Sequence, residues 1–246
     1  RDIYFRKAVA HLIDRESIVK NVYGGFAIPQ DGPMNVSCGF FNNPDVEKYP
    51  YDEEKARGLL ARSGFYQKNR VLFDRKNNPV EFTLLTNSNN FERIQLANII
   101  QDDLKKVGMK VNLLPVEFNT LVTRIGATKD WESVIIGLTG GIEPHTGKNV
   151  WHTDGQLHMW NMGAREGELT GWEKRINLLF DEGAKELDRN RRKALYDEWQ
   201  RIVSEELPFI YTASPTVMFA VRNKFGNLKP TVYGGVLHNI EEIYIK

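Results

Sequence analysis

Between Trp131 and Asn161 the chain gathers the side chains that could do chemistry: Glu143, His145, Trp151, His152, Asp154, Gln156, His158 and Trp160. Imidazoles and carboxylates in one stretch could ligate zinc or nickel. The histidines, however, are spaced by seven and six residues, which matches no i, i+4 pair on one helix face. The glycine-rich run around them fixes no ligand geometry either. They read instead as hydrogen-bonding groups at the rim of a ligand site. A metal-binding protein or metal-dependent hydrolase using His145, His152 and His158 stays as the alternative. The two indoles suit a ligand wall as well as a core. Glu143, ahead of Pro144, either orients a ligand or braces a turn. Thr139 and the Gly140-Gly141 pair offer polar groups and backbone that another molecule can approach closely.

Catalysis has little support in the residues. The chain has no G-x-S-x-G, no P-loop, no HExxH and no GxGxxG after a strand. Cys38 is the single cysteine, so no internal disulfide and no cysteine-based metal site can form. It lies in a Pro/Asn/Gly-rich stretch with no histidine nearby, a poor setting for a thiol nucleophile. The residues call for no cofactor, and the expectation is a binding protein, not an enzyme.

The elements that must hold this stretch are legible in order. Phe5, Val9, Leu12 and Ile13 recur at helical spacing, and Ile18, Val19 and Val22 restart that face after Asp14 until Gly24-Gly25. Residues 26–50 read as one long surface loop. Asp52 is placed to cap a helix ended by Gly64. A hairpin is expected from Val71–Phe73 to Val80–Leu85. A helix over Phe91–Val107, a strand over Met109–Phe118 and a short helix capped by Asn119 follow. Glu132–Leu138, short and β-branched, reads as a buried strand feeding the loop. Helices are expected over Trp172–Leu187 and Arg191–Glu206, with their charged faces in solvent. Short strands over Phe209–Thr212 and Val217–Val221 and a terminal EEIYIK strand complete an α/β pattern.

Composition narrows the partners. A formal net charge of +1 gives no reason to expect nucleic acid or an anionic membrane. No apolar run approaches the roughly 18–20 residues of a membrane span. The opening RDIYFRKAVAHLIDRES is amphipathic from the start and shows no signal peptide.

Three separated blocks carry a resemblance: RKAVAHLIDRESIVKNVYGGFAIP, YPYDEEKARGLLARSGF and LANIIQDDLKKVGMKVNLLPVEFNTL. In this order they resemble the C-terminal half of the family 5 extracellular solute-binding proteins, the oligopeptide, dipeptide and nickel receptors of ABC importers. The resemblance implies one α/β lobe of a type II periplasmic binding protein-like, two-lobe architecture, a mixed sheet flanked by helices. Residues 1–215 would form the C-terminal ligand-binding lobe, and 216–246 a tail returning to an N-terminal lobe upstream. It further implies capture of a short peptide or similar solute at the periplasmic or extracellular face of the membrane, and delivery to permease subunits. The membrane would be met through that permease or a lipid anchor outside this stretch. The ligand-binding residues expected on this basis are Thr139, Gly140, Gly141, Glu143, His145, Trp151, His152, Asp154, Trp160, Tyr211 and Thr212. The position that aligns with the carboxylate binding a peptide's amino group in relatives is Gly140 here. Peptides therefore stay open beside other solutes such as sugars or opines.

Overall fold

Parallel pairing organises the chain. The computed structural model describes residues 2–246, and in it strand β4 (Glu81–Asn87) lies between β5 (Lys110–Val116) and β6 (Ser133–Val134), parallel to both. Parallel neighbours need crossover helices, and the chain supplies them: α4 (Phe91–Lys106) links β4 to β5, and α5 (Phe118–Gly126) links β5 to β6. Asn90 caps α4 by accepting from the Arg93 amide, and Glu117, not Asn119, caps α5 from its carboxylate. The expected strand over Glu132–Leu138 is shorter and less buried than its composition suggests. Only Ser133–Val134 makes the ladder, and Ile135 adds one more bond, its amide donating to the Leu85 carbonyl at 2.8 Å.

Ahead of this sheet, α1 (Ile3–Leu12) and α2 (Arg15–Asn21) form the broken helix anticipated at Asp14, whose carboxylate accepts from the Ser17 amide and starts the second segment. Asp52 likewise caps α3 (Glu53–Arg62). Residues 26–50, expected as a plain loop, contain β1 (Ala27–Pro29) and a 3-10 segment (Val36–Phe41). The expected hairpin partner of β3 (Val71–Phe73) is also revised. Its ladder is with β2 (Tyr66–Lys68), and toward β4 it makes only a bridge between Phe73 and Pro79. One apolar core fills the space between α1, α3, α4 and this sheet, built on Ala8, Leu12, Ala56, Leu60, Leu96 and Leu104.

A second core lies under a helical hairpin. After α6 (Lys148–Trp151), α7 (Gly171–Gly183) and α8 (Arg189–Glu206) pack together around Ile176, Leu179, Phe180, Tyr196, Trp199 and Val203. Thr170 and Glu173 form a reciprocal capping box on α7. Leu207 takes a left-handed φ of 48° and closes α8. Beyond it, β7 (Ala213–Pro215) pairs antiparallel with β1. The strands expected over Phe209–Thr212 and Val217–Val221 do not form; the β7 ladder falls between them. The last residues carry β8 (Phe225–Gly226) and β9 (Tyr244–Ile245), which pair with each other.

Candidate functional site

The carboxyl ends of the three parallel strands open on one edge. The connections out of β4 and β5 carry the chain first to one side of β4 and then to the other, a switch in direction beside which open α/β sheets characteristically bind their ligands. On one wall of that edge Asn87 ends β4, and its amide nitrogen donates to Asn89 Oδ1 at 2.6 Å. Arg93, in the first turn of α4, donates from Nη1 to Asn87 Oδ1 at 2.7 Å. Its guanidinium makes no ion pair with a carboxylate among the described residues. On the other wall, the chain leaving β6 runs through Gly137, Leu138, Thr139 and Gly140, all exposed. The two walls meet at Gly137: a Cβ there would lie 2.5 Å from Arg93 Nη2, so a larger residue would have to displace the guanidinium.

The expected residues Gly141, Glu143 and His145 form the turn that follows. Glu143 caps the 3-10 segment Pro144–Gly147, its Oε2 accepting from the His145 amide at 2.9 Å. Its Oε1 accepts from Arg192 Nε at 3.1 Å and Nη2 at 2.7 Å. The N-terminal turn of α8 is thus tied to this loop and is not purely a solvated exterior. His145 Nδ1 lies 2.9 Å from the Tyr196 hydroxyl. Burial pushes the Tyr196 hydroxyl up to about 12 and the His145 imidazole down. Neutral partners therefore share this contact near pH 7.

The two indoles are placed differently from each other. Trp151 is 6% exposed, with its ring against Trp199, Phe209 and Trp160 at 5.2, 5.5 and 5.6 Å between centroids. It belongs to the second core and leaves little face for a ligand. Apolar neighbours on three sides draw it inward despite its polar sequence context. Trp160 is half-buried, and its indole N–H donates to Glu173 Oε1 at 3.0 Å.

The three histidines do not converge. His145 faces Tyr196, while His152 lies 3.5 Å from Asp154 and 3.6 Å from Asp181. His158 is fully buried, between the Val150 carbonyl at 3.1 Å and Glu173 at 3.4 Å. Among the described residues no three His, Cys, Asp or Glu side chains come together as a metal cage. The His145/His152/His158 centre is therefore not the arrangement found, because each imidazole is already committed to its own partner. Asp154 itself is exposed.

Tyr211 and Thr212 act through their backbone in this structure. The Tyr211 carbonyl accepts from Arg15 Nε at 2.9 Å, and the Thr212 carbonyl from the Gln30 amide at 3.1 Å. The Tyr211 hydroxyl is enclosed without a hydrogen-bond partner. Asn87, Asn89 and Arg93 were missed by sequence reasoning. The signal available was the polar run Asn87-Ser88-Asn89-Asn90 between a strand and a helix, where phosphate- and carboxylate-binding groups often gather.

Comparison with known proteins identifies the lineage of this frame. The family model for bacterial extracellular solute-binding proteins, family 5 (middle region), matches residues 1–162. A probable ABC transporter-binding protein of Deinococcus radiodurans is 33% identical over 233 residues, covering 89% of this chain and 39% of that protein. The oligopeptide-binding protein AppA of Bacillus subtilis is 27% identical, covering 87% of this chain and 39% of its own length. The chain thus spans about two-fifths of the curated relatives it matches. The solved structure of Bacillus subtilis AppA with a nonapeptide superposes with a TM-score of 0.79 at 24% identity, over 100% of this chain and 48% of that one. NikA of Brucella suis with Fe(III)-EDTA gives 0.81 at 19% identity, over 100% and 48%. These neighbours share the α/β lobe of the type II periplasmic binding architecture expected from the sequence. With its sheet order, its sequence blocks and two-thirds of its length accounted for, the chain belongs to the family 5 bacterial extracellular solute-binding proteins.

Proposed function

We propose that this chain is the ligand-binding lobe of an ABC importer's receptor, that it binds without converting its solute, and that the solute is a short peptide or a similar molecule with an anionic end. Family membership supports the receptor reading, as do relatives named for oligopeptide and dipeptide binding. The observation that carries the choice of site is Arg93. It is half-buried at the carboxyl edge of a parallel sheet, hydrogen-bonded to a neutral amide and unmatched by any carboxylate among the described residues. A desolvated guanidinium of this kind favours a carboxylate that can accept two parallel N–H bonds. The exposed backbone of Gly137–Gly140 would supply further hydrogen bonds along an extended chain. Thr139 and Trp160 are proposed as lesser contributors. The permease is the proposed partner, on the extracytoplasmic side; no helix among the described residues is long and apolar enough to cross a membrane.

One wall buries less ligand than two, so the affinity of this chain alone is expected to be about millimolar or weaker, equivalent to ~4 kcal/mol. NMR titration with pentaalanine reads such affinities. Arg93→Gln should weaken binding about five-fold for the peptide with a free carboxylate, and leave its C-terminal amide unaffected. If Arg93→Gln binds both forms as the parent does, Arg93 is not the anion partner and the site assignment fails.

A further inference from the structure

The loop that follows β6 has little support from its own sheet. Its ladder ends at Val134, and residues Gly137–Gly140 are exposed. A backbone left so free would lose much of its ordering entropy on binding a solute. Three contacts in series run from this loop to α8. Arg192 holds Glu143 Oε1 by two nitrogens, at 3.1 and 2.7 Å. Glu143 in turn fixes the turn beyond it: its side chain accepts from the His145 amide, and its carbonyl accepts from the Thr146 amide at 3.2 Å and hydroxyl at 2.7 Å. Thr146 then closes on Gly141, where a Cβ would meet its Oγ1 at 2.8 Å. Beside this chain His145 reaches Tyr196, a residue with no solvent exposure on the same helix.

From this geometry we infer that Arg192 is a positioning residue for solute binding: the α7–α8 hairpin acts as a clamp that pre-orders Gly137–Gly141 through Glu143. This rests on the proposed site, which contains that backbone. Arg192 touches no solute; it lowers the cost of binding by holding the receiving backbone in place. The pair is half-buried, and two guanidinium nitrogens converge on one carboxylate oxygen, so Glu143 is held from a fixed direction by charge-assisted hydrogen bonds. Lysine at the same position would offer a point charge and restore part of the restraint.

The test is amide hydrogen exchange on the 246-residue chain, read beside pentaalanine titration by NMR. Arg175→Ala is the control, because Arg175 makes a comparable two-pronged pair with Glu198 on the same hairpin and does not touch the loop. Arg192→Ala should speed exchange about ten-fold at the His145 and Thr146 amides, whose hydrogen bonds Glu143 accepts, weaken pentaalanine about five-fold, and change melting no more than Arg175→Ala does. Arg192→Lys should recover part of both losses. Loop exchange in Arg192→Ala equal to that in Arg175→Ala overturns the clamp; so does faster exchange with parental affinity. If the parent chain shows no pentaalanine shifts at the sheet edge, the site reading fails by itself, and the exchange comparison still decides whether α8 orders the loop.

Discussion

Glu173 is 1% exposed, and hydrogen bonds keep it charged. Burial works to raise its carboxyl, but the amide and hydroxyl of Thr170 together with Asn161 and Trp160 outweigh it and hold the group below the usual carboxylate range. Through these donors the residue ties α7 to the segment around Trp160. Glu173→Ala would strand several buried donors, so we expect a loss of about 3 kcal/mol and a fall in melting temperature of about 6–12 °C. Its neighbour His158 is pushed down from 6.5 by burial, against the pull of Val150 and Glu173. Both shifts act in one direction. Between the unfolded and the lower folded value, the unfolded chain binds more protons, so acid favours unfolding. The His158 contribution is whole above 6.5 and is lost as pH falls through its folded value; that of Glu173 is whole above 4.5 and is lost in the same way below it. Urea midpoints between pH 7 and 5 should fall less steeply in His158→Gln than in the parent. Some slope should remain, because burial also lowers His11 and His145. Equal slopes would show that His158 does not titrate differently on folding.

At the scale of elements, periodicity and caps were well written into the chain. Asp14, Asp52 and Asp188 each cap the helix that follows, and the helical face from Phe5 to Val22 breaks where Asp14 interrupts it. What local pattern could not show was pairing between distant segments. β1 and β7 are three-residue strands that exist only because residues 27–29 meet 213–215. Glu132–Leu138 has the composition of a buried strand, yet lies at a sheet edge with a two-residue ladder. The candidate site was legible as a loop, but its contacts to a distant helix were not. Polar residues drew attention to the histidines and Trp151, which tertiary contacts engage, whereas Arg93, the proposed anion partner, stands in an ordinary amphipathic helix and is brought beside a glycine 44 positions away, Gly137. Elements also differ in security. Residues 216–224 belong to no strand longer than a bridge and expose Val217, Met218, Phe219 and Val221. Their amides should exchange fastest in the dilute chain, with α8 among the slowest, since Tyr196, Trp199 and Val203 lie in a core. Protection of residues 217–221 equal to that of α8 would count against this order.

For the whole molecule, the two largest of four apolar clusters among the described residues lie between α1, α3, α4 and the sheet and under α7–α8. They give reason to expect that it folds as it stands. Its role as one wall of a receptor is a reading of larger scale. The chain covers about two-fifths of its curated relatives, and the apolar side chains exposed between Val217 and Val221 are the surface we propose that a second lobe covers. A two-walled receptor closing about its solute would bury what this chain leaves in water, which is why weak binding by the single lobe is the expected behaviour. The central claim, that the solute meets the carboxyl edge of the parallel sheet, is tested most directly by mapping amide shifts of the ¹⁵N-labelled chain during titration with pentaalanine. The account predicts saturable shifts confined to residues 87–93, 137–143 and Trp160, with an apparent Kd of about one millimolar or weaker. Shifts centred on the His152–His158 segment or on the outer face of α8, with the sheet edge unmoved, would contradict it.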